Sequence, residues 1–435
     1  MPHFRIITFG CKVNQHDTAG MASELARLGW EAAPAGQQPD LVVVNTCSVT
    51  SRADQEARQS VRRLARETPE AAILVTGCYA QRAPAEAAAL PGVRGVLGNR
   101  EKSNLAEALS RLSGPGNPLV QAGGFSPGEA FAGGFPRQFP GHTRALLKVQ
   151  EGCNHRCAYC IVPLVRGPSR SLAPQEVEAA LKELGAAGFR EVVLTGIDLG
   201  QYGRDLSPPF SLAALLRRLA RRTWPCRLRL SSLEPQEVTA ELLEALAATP
   251  DLCPHFHLPL QSGSVPVLAA MGRPYAPEEV RRLAWELRRR FPAAALGLDV
   301  LVGFPGERPD DFAATYELVA ALPVAYLHVF PFSPRPGTPA EGLPPLPHAE
   351  VRRRAALLRE LGRQKRAAFY AAQVGQTGDV LVERPASRPG WLSGLSGNYL
   401  KVAFPGPATW VNRRLPVRYQ RLEGEILLGE VLEAG

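Results

Sequence analysis

Short β-branched runs alternate with helical patterns along the first hundred residues. FRIITFG (4–10), LVVVNT (41–46) and ILVTG (73–77) read as buried strands, and apolar spacing predicts helices near 17–28, 51–66 and 84–90. This alternation predicts βαβ units and an open parallel sheet. Residues 113–141 are rich in Gly and Pro and lack any period, so they are expected to link two domains. Alternation resumes with six strand candidates: RALLKVQ (144–150), EVVLTG (191–196), CRLRLSS (226–232), HFHLPL (255–260), LGLDVLVG (296–303) and VAYLHVF (324–330). Six β/α units over this length predict an open barrel, two units short of the usual eight. From 371 onward VLVE (380–383), YLKVAF (399–404) and EILLGEVLE (425–433) fall among turn residues with no helical pattern, which fits a small β-barrel. The expected fold is α/β throughout the first two units, with boundaries 1–112, 113–141, 142–370 and 371–435.

Composition sharpens this in two respects. Hydrophobic residues are 45% and charged residues 21% of the 435, enough apolar surface for several cores. No apolar run approaches the ~18 residues of a membrane span and MPHFRIITFG reads as a strand, so a cytoplasmic protein is expected. The net charge of +9 is modest, but its distribution is uneven. Arg352, Arg353, Arg354, Arg359, Arg363, Lys365 and Arg366 face only Glu350 and Glu360 in 350–370, seven against two, which leaves +5. Such a run is either a polyanion-binding helix or a solvated face.

The eight cysteines carry the candidate chemistry, since a reducing compartment disfavours disulfides. Cys153, Cys157 and Cys160 in EGCNHRCAYC have C-x3-C-x2-C spacing directly after the first barrel strand. Three thiolates on one loop suit an iron–sulfur cluster with one iron left open. Zinc with His155 as a fourth ligand, or a chance grouping, are the alternatives. Cys11, Cys47 and Cys78 each stand just beyond a strand of the first sheet, and the strand C-termini of such a sheet share one edge. Buried small hydrophobes are the competing reading for these three, and Cys226 and Cys253 are read as core residues.

The cysteine loop, with Tyr159 before its last cysteine, resembles the radical S-adenosylmethionine enzymes. RGPSRS (166–171), LTGIDLGQYG (194–203), RLSSLEP (229–235), HLPLQSGS (257–264), DVLVGFPGE (299–307) and HVFPFSPRPGTPA (328–340), together with FGCKVNQHDT and NTCSVT, resemble successive blocks of the methylthiotransferases within that group, over nearly the whole chain. The resemblance implies a radical S-adenosylmethionine barrel whose 4Fe-4S cluster is held by Cys153, Cys157 and Cys160, and an auxiliary 4Fe-4S cluster on Cys11, Cys47 and Cys78. It implies S-adenosylmethionine contacts from Thr195 and Gly196, from Ser231 and Glu234, and from Gly303 and Gly306, although Gly196 and Gly303 also read as plain turn formers. Gln261, Ser262 and Ser264 are expected either at the substrate cavity or in a solvated loop. Arg166 and Arg170 are expected near the cluster or at the surface.

The implied reaction adds a methylthio group to C2 of a modified adenosine at position 37 of tRNA. The first cluster gives one electron to S-adenosylmethionine, releasing methionine and a 5′-deoxyadenosyl radical, and the second cluster carries the sulfur. GCKVNQHDT, with Lys12 and Val13, resembles the subgroup acting on N(6)-threonylcarbamoyladenosine. N(6)-isopentenyladenosine ranks second, an aspartate of a ribosomal protein third, and an iron–sulfur RNA-binding regulator without turnover is the non-enzymatic alternative. WLSGLSGNYLKVAF, with Gly394, Gly397, Asn398, Tyr399 and Val402, resembles a TRAM domain, a small RNA-binding β-barrel; Tyr399 and Trp410 are candidates for base stacking or for its core. The tRNA anticodon stem-loop, a flavodoxin or ferredoxin as electron donor, a monomeric state and no membrane partner complete the expectation.

Overall fold

The computed structural model describes residues 1–112, 117–126, 128–131 and 134–432. Its first unit is a six-stranded, all-parallel sheet of β1 (His3–Thr8), β2 (Glu31–Ala32), β3 (Leu41–Thr46), β4 (Ala72–Gly77), β5 (Val93–Leu97) and β6 (Leu119–Gln121), in the order β2-β1-β3-β4-β5-β6. Helices α1 (Lys12–Arg27), α2 (Ser51–Glu67), α3 (Cys78–Arg82), α4 (Pro84–Ala88) and α5 (Leu105–Arg111) connect the strands. All six residues of β3 are buried, as a central parallel strand covered on both faces requires. The stretch expected as a linker does not behave as one throughout. Its Leu119–Gln121 completes the sheet as β6, and its Phe139 is buried in the next core. Residues 113–116, 127, 132 and 133 of that stretch lie outside the described residues.

The second unit holds β7 (Arg144–Lys148), then the short antiparallel pair β8 (Gln150–Glu151) and β9 (Arg170–Ser171) around α6 (Val162–Arg166). It continues with α7 (Pro174–Ala186), β10 (Glu191–Thr195), α8 (Leu212–Leu219), β11 (Arg227–Leu230), α9 (Ala240–Ala248) and β12 (His255–Gln261). After these come α10 (Val265–Ala270), α11 (Pro277–Arg290), β13 (Ala295–Val302), α12 (Pro309–Ala321), β14 (Tyr326–Pro331) and α13 (His348–Ala371). The barrel strands form two parallel three-stranded sheets, β11-β10-β7 and β12-β13-β14. The Leu233 N–H donates to the His257 carbonyl at 2.9 Å and bridges them. Strands β7 and β14 are the outer edges, so the barrel is open between them. Leu194, Leu228, Leu258, Leu298 and Val300 point outward into the core beneath the helices, which leaves the alternate residues of each strand for the lumen.

The other two units close this barrel from opposite sides. The first sheet spans its open side. Helix α1 lies on β7, where His16 Nδ1–H donates to the Leu146 carbonyl at 2.8 Å. Beyond β14, buried Arg335 reaches back to Asp54 at 2.5 Å and to Ser48 at 2.8 Å. At the N-terminal ends of the strands sits a closed five-stranded barrel of β15 (Thr377–Pro385), β16 (Trp391–Ser396), β17 (Lys401–Pro405), β18 (Arg414–Glu423) and β19 (Ile426–Val431). Its β16 and β18 were not legible in the sequence, because Gly394 and Pro416 interrupt their alternation. Lumen-facing Arg227 and Arg229 donate to the carbonyls of Leu395 and Gly397, both at 2.9 Å. Buried Glu191 pairs with both arginines and is held down at about 2, against the cost of burial. Tyr399 enters at this floor, its ring 4.4 Å from His255. It therefore serves the seam between the units and is buried neither in the small barrel nor as a free stacking platform.

Candidate functional site

Two cysteine triads meet where the first sheet covers the barrel. Cys11 caps α1 just past β1, Cys47 follows β3, and Cys78 opens α3 directly from β4. The pairing of Thr8 with Asn45, and of Thr46 with Gly77, aligns these strand ends. Two glycines make the close approach possible. A Cβ on Gly10 would lie 2.8 Å from Cys47 Cβ, and one on Gly77 would lie 2.3 Å from the Thr46 carbonyl, with both backbones in the left-handed region. Cys153, Cys157 and Cys160 occupy the loop between β8 and α6, pinned by Ala158 N–H to the Met271 carbonyl at 2.9 Å. Cys78 shares a buried cluster with Ile161 and Val165 at the helix that follows the loop triad, so the strand-end triad lies on an element packed against that helix.

The thiols are poised for a cationic centre. Burial, with Cys78 next to it, pushes the Cys47 thiol up to about 12; burial also raises Cys160 to about 12 and Cys153 further. Three soft sulfur donors per site, unfavourable as bare thiolates, fit iron in each case. Among the described residues no His, Asp or Glu completes either triad into a four-ligand zinc site: His155 is turned to Asp198 (3.3 Å) and Glu237 (3.5 Å). Arg273 donates to Cys157 Sγ at 3.3 Å and pairs with Glu234.

Glu234 and His155 stood out in the sequence, whereas Arg273, Asp198 and Glu237 did not. Asp198 accepts from Cys153 Sγ at 3.4 Å, and burial with the neighbouring Glu237 raises its carboxyl to about 8. Both oxygens of Glu237 and Oδ1 of Asp198 are buried without a hydrogen-bond partner. Buried acids with oxygens still free of hydrogen bonds beside the loop triad, faced by His155 and Arg204, fit a cationic ligand, as the ammonium and sulfonium of S-adenosylmethionine are. Buried Gln150 shapes the same rim, accepting from the Asp198 N–H at 2.8 Å. Only residue chemistry could have flagged these: LTGID and SLEPQE carry acids just after strands.

The expected cofactor residues fall in three groups. Thr195 and Ser231 are buried at the rim, and the Gly196 N–H approaches Ser231 Oγ at 3.4 Å, so this group and Glu234 lie beside the acidic pocket. Gly303 is instead engaged in packing. Its N–H donates to Glu307 at 2.7 Å, Glu307 is held by Arg354, and a Cβ there would strike Val351 of α13. Gly306 has open space around it.

Several surrounding expectations need correction. Ser262 and Ser264 are neither at a cavity nor solvated, since they are buried against α12, bonded to Thr315 and Asp311; Gln261 sits at a bulge with φ +63°. Arg166 is fully buried, and it donates to Glu151 at 2.5 Å and to Asn14 within a network that includes Asp17, Lys102 and Lys148. Its charge is held in place by Cys78, Asp17 and Glu151 despite burial. Arg170 is buried beneath it and donates to its carbonyl. Arg354 is buried in its pair with Glu307, and Lys365 donates to the Ala320 and Leu322 carbonyls, so the basic run of α13 is only partly a solvated face. Cys226 and Cys253 are buried in the core, as read.

Residues 3–98 match the family described as Uncharacterized protein family UPF0004, and residues 147–319 match the Radical SAM superfamily. A relative from Bacillus subtilis, "Threonylcarbamoyladenosine tRNA methylthiotransferase MtaB", is 35% identical across 94% of this chain and 92% of its own length. The protein of that name from Thermotoga maritima is 36% identical across 93% and 92%. A "tRNA-2-methylthio-N(6)-dimethylallyladenosine synthase" from Moorella thermoacetica is 33% identical across 99% and 98%. In fold, the radical S-adenosylmethionine methyltransferase TsrM from Kitasatospora setae aligns with TM-score 0.57 at 20% identity, across 78% of this chain and 77% of that one. With a UPF0004 sheet roofing a radical barrel and relatives this similar along their full length, the chain belongs to the radical S-adenosylmethionine methylthiotransferase family and uses S-adenosylmethionine with two 4Fe-4S clusters.

Proposed function

We propose that this protein adds a methylthio group to C2 of N(6)-threonylcarbamoyladenosine at position 37 of tRNA. The observation that supports the reading best is the buried cluster that Cys78 shares with Ile161 and Val165, which packs the strand-end triad's element against the helix that follows the loop triad. When bound, the clusters supply the electron that cleaves S-adenosylmethionine and the sulfur that is transferred. C2–H of adenine is too inert for polar substitution near neutral pH, so both functions are needed together. The chain's own residues hold the parts. Cys153, Cys157 and Cys160 take one cluster, and Cys11, Cys47 and Cys78 take the other. Asp198, Glu237 and Glu234 face the cationic cofactor, with Thr195, Gly196 and Ser231 at the same rim. Arg229, Glu191 and Tyr399 seal the floor and exclude water from that side.

The names of the Bacillus and Thermotoga relatives support the threonylcarbamoyl substrate over the dimethylallyl one of the Moorella relative. The tRNA contact is the anticodon stem-loop, with exposed Arg352, Arg353, Arg359 and Arg363 of α13 supplying phosphate contacts. We further propose a flavodoxin or ferredoxin as donor and a monomeric enzyme working in the cytoplasm; no helix among the described residues is long and apolar enough to cross a membrane. Mass spectrometry of tRNA nucleosides from cells with and without the gene tests the reading. Loss of 2-methylthio-N(6)-threonylcarbamoyladenosine is expected, and loss of the isopentenyl nucleoside instead would replace the substrate.

A further inference from the structure

The lumen is chemically divided. Its β10–β11 side carries Asp198, Glu234 and Glu237 next to the loop triad, a wall of buried acids suited to a cationic cofactor. The β12–β14 side is different. His255 and His257, Asp299, and Tyr326, His328 and Phe330 alternate with the outward core residues of β12, β13 and β14, and so share the lumen face. They form an aromatic ladder rising from the floor. His255 bonds the Tyr326 hydroxyl at 2.7 Å, the His257 ring lies 6.0 Å from Tyr326 and 5.4 Å from His328, and His328 lies 6.4 Å from Phe330 in a stacked pose.

His257 bonds Ser232 at 2.7 Å and its Nε2 lies 3.1 Å from Asp299, so the charge of Asp299 has a local partner. His328 and Phe330 at the mouth are exposed, Phe330 by 43%. Above them the first sheet contributes Lys12, which opens α1 beside Cys11 and has no hydrogen-bond or ion-pair partner among the described residues. Its place follows from packing at the open barrel edge: Gly10, two residues before it, lies against Cys47, and the next residue, Ser48, accepts from Arg335 just past β14. The field of Lys12 also reaches His255 and His328. A half-buried lysine with no counter-charge, above an exposed imidazole and an exposed phenyl ring, lacks an anion with an aromatic body attached.

We propose that Lys12 and His328 bind the carboxylate of the substrate's threonylcarbamoyl group while Phe330 stacks on its base, which makes Lys12 the residue that selects an anionic N6 substituent. This rests on the threonylcarbamoyladenosine reading above. An isopentenyl group has no charge to offer and would leave Lys12 desolvated and unpaired, so the same lysine disfavours that substrate.

The test uses the reconstituted holoenzyme and anticodon stem-loop RNA bearing N(6)-threonylcarbamoyladenosine, either as the free acid or as its methyl ester. The wild-type enzyme should take the acid with a KM about tenfold below that of the ester, the worth of one charge-assisted contact. Lys12→Gln should raise KM for the acid about tenfold, barely alter that for the ester, and change kcat less than KM; Lys12→Arg should restore most of the preference. His328→Gln should lower the preference in the same direction, and it reports independently if the Lys12 variant fails to load clusters. Equal losses on acid and ester in both variants, or an unchanged acid preference, would overturn the proposal. A wild-type enzyme inactive on both RNAs but active on an isopentenyl one sinks the substrate reading instead.

Discussion

The loop triad and the strand-end triad lie on elements that pack together, but they are built by different means. Cys153, Cys157 and Cys160 lie within eight residues, so a local loop pinned to Met271 fixes them. Cys11, Cys47 and Cys78 come from three strand ends across 68 residues and depend on sheet register, on Gly10 and Gly77, and on what the sheet rests against. The difference teaches that the first site survives as a motif, while the second is a property of the docked domain. Arg166 links them physically: it leaves the helix after the loop triad and is buried among Asn14, Asp17 and Glu151.

The largest effect should come from replacing Cys153, Cys157 and Cys160 with Ala. Iron content should fall from about eight to about four per chain, and cofactor cleavage should cease. Retention of both clusters would break the comparison. Cys47→Ala should divide the functions instead: reductive cleavage of S-adenosylmethionine persists and methylthiolation stops, as liquid chromatography of deoxyadenosine against nucleoside product would show. Full product from that variant would remove the strand-end triad from the reaction.

Arg166→Met tests whether docking couples the two sites. It removes the buried guanidinium that pairs with Glu151 and Asp17 and leaves Asn14 Oδ1 without its donor, so urea denaturation should report a loss of about 3–5 kcal/mol, with auxiliary-cluster occupancy falling before that of the loop cluster. Simultaneous loss of both clusters would mean that the sites are not separately built.

A smaller, pH-dependent effect follows from His16. Burial, then Lys148, holds its imidazole down to about 4, so the folded state keeps it neutral while the unfolded chain takes a proton near 6.5. Its contribution is complete above 6.5 and is lost as pH falls toward 4, by about 3 kcal/mol over that window. His255, also lowered by burial, adds the same sign, whereas Asp17 is held below its ordinary value and so loses its contribution only in stronger acid. His16→Gln should flatten the denaturation-midpoint slope between pH 6.5 and 4 relative to wild type. The smallest effect concerns α13: neutralising exposed Arg353 and Arg363 should weaken tRNA binding and reduce the slope of log affinity against log salt by up to about 0.7–0.9 per lost contact. An unchanged slope would return that face to solvent.

Much of the fold was legible because it is written in local periodicity. LVVVNT is a strand at the residues expected, and all six barrel strands fall within two or three residues of their runs. Helix α1 begins at Lys12 rather than near 17, because its first turns carry no apolar stripe. Asn14, His16 and Asp17 are buried there through bonds to the Phe9, Thr46 and Leu146 carbonyls and to Lys102 and Lys148. A polar sequence buried by polar partners looks like a loop until those partners are known.

The sequence by itself determined the order of the units, the loop triad and its likeness to a family, since spacing and alternation are properties of neighbours along the chain. Only the tertiary structure decided that Arg166, Arg335 and Arg354 are interior residues, that Tyr399 seals the barrel floor, and that Asp198 and Glu237 face the loop triad while Lys12 is left unpaired at the lumen's mouth. Burial and charge pairing between residues a hundred or more positions apart are set by packing, and a single side chain's identity carries no record of which partner the fold will bring to it.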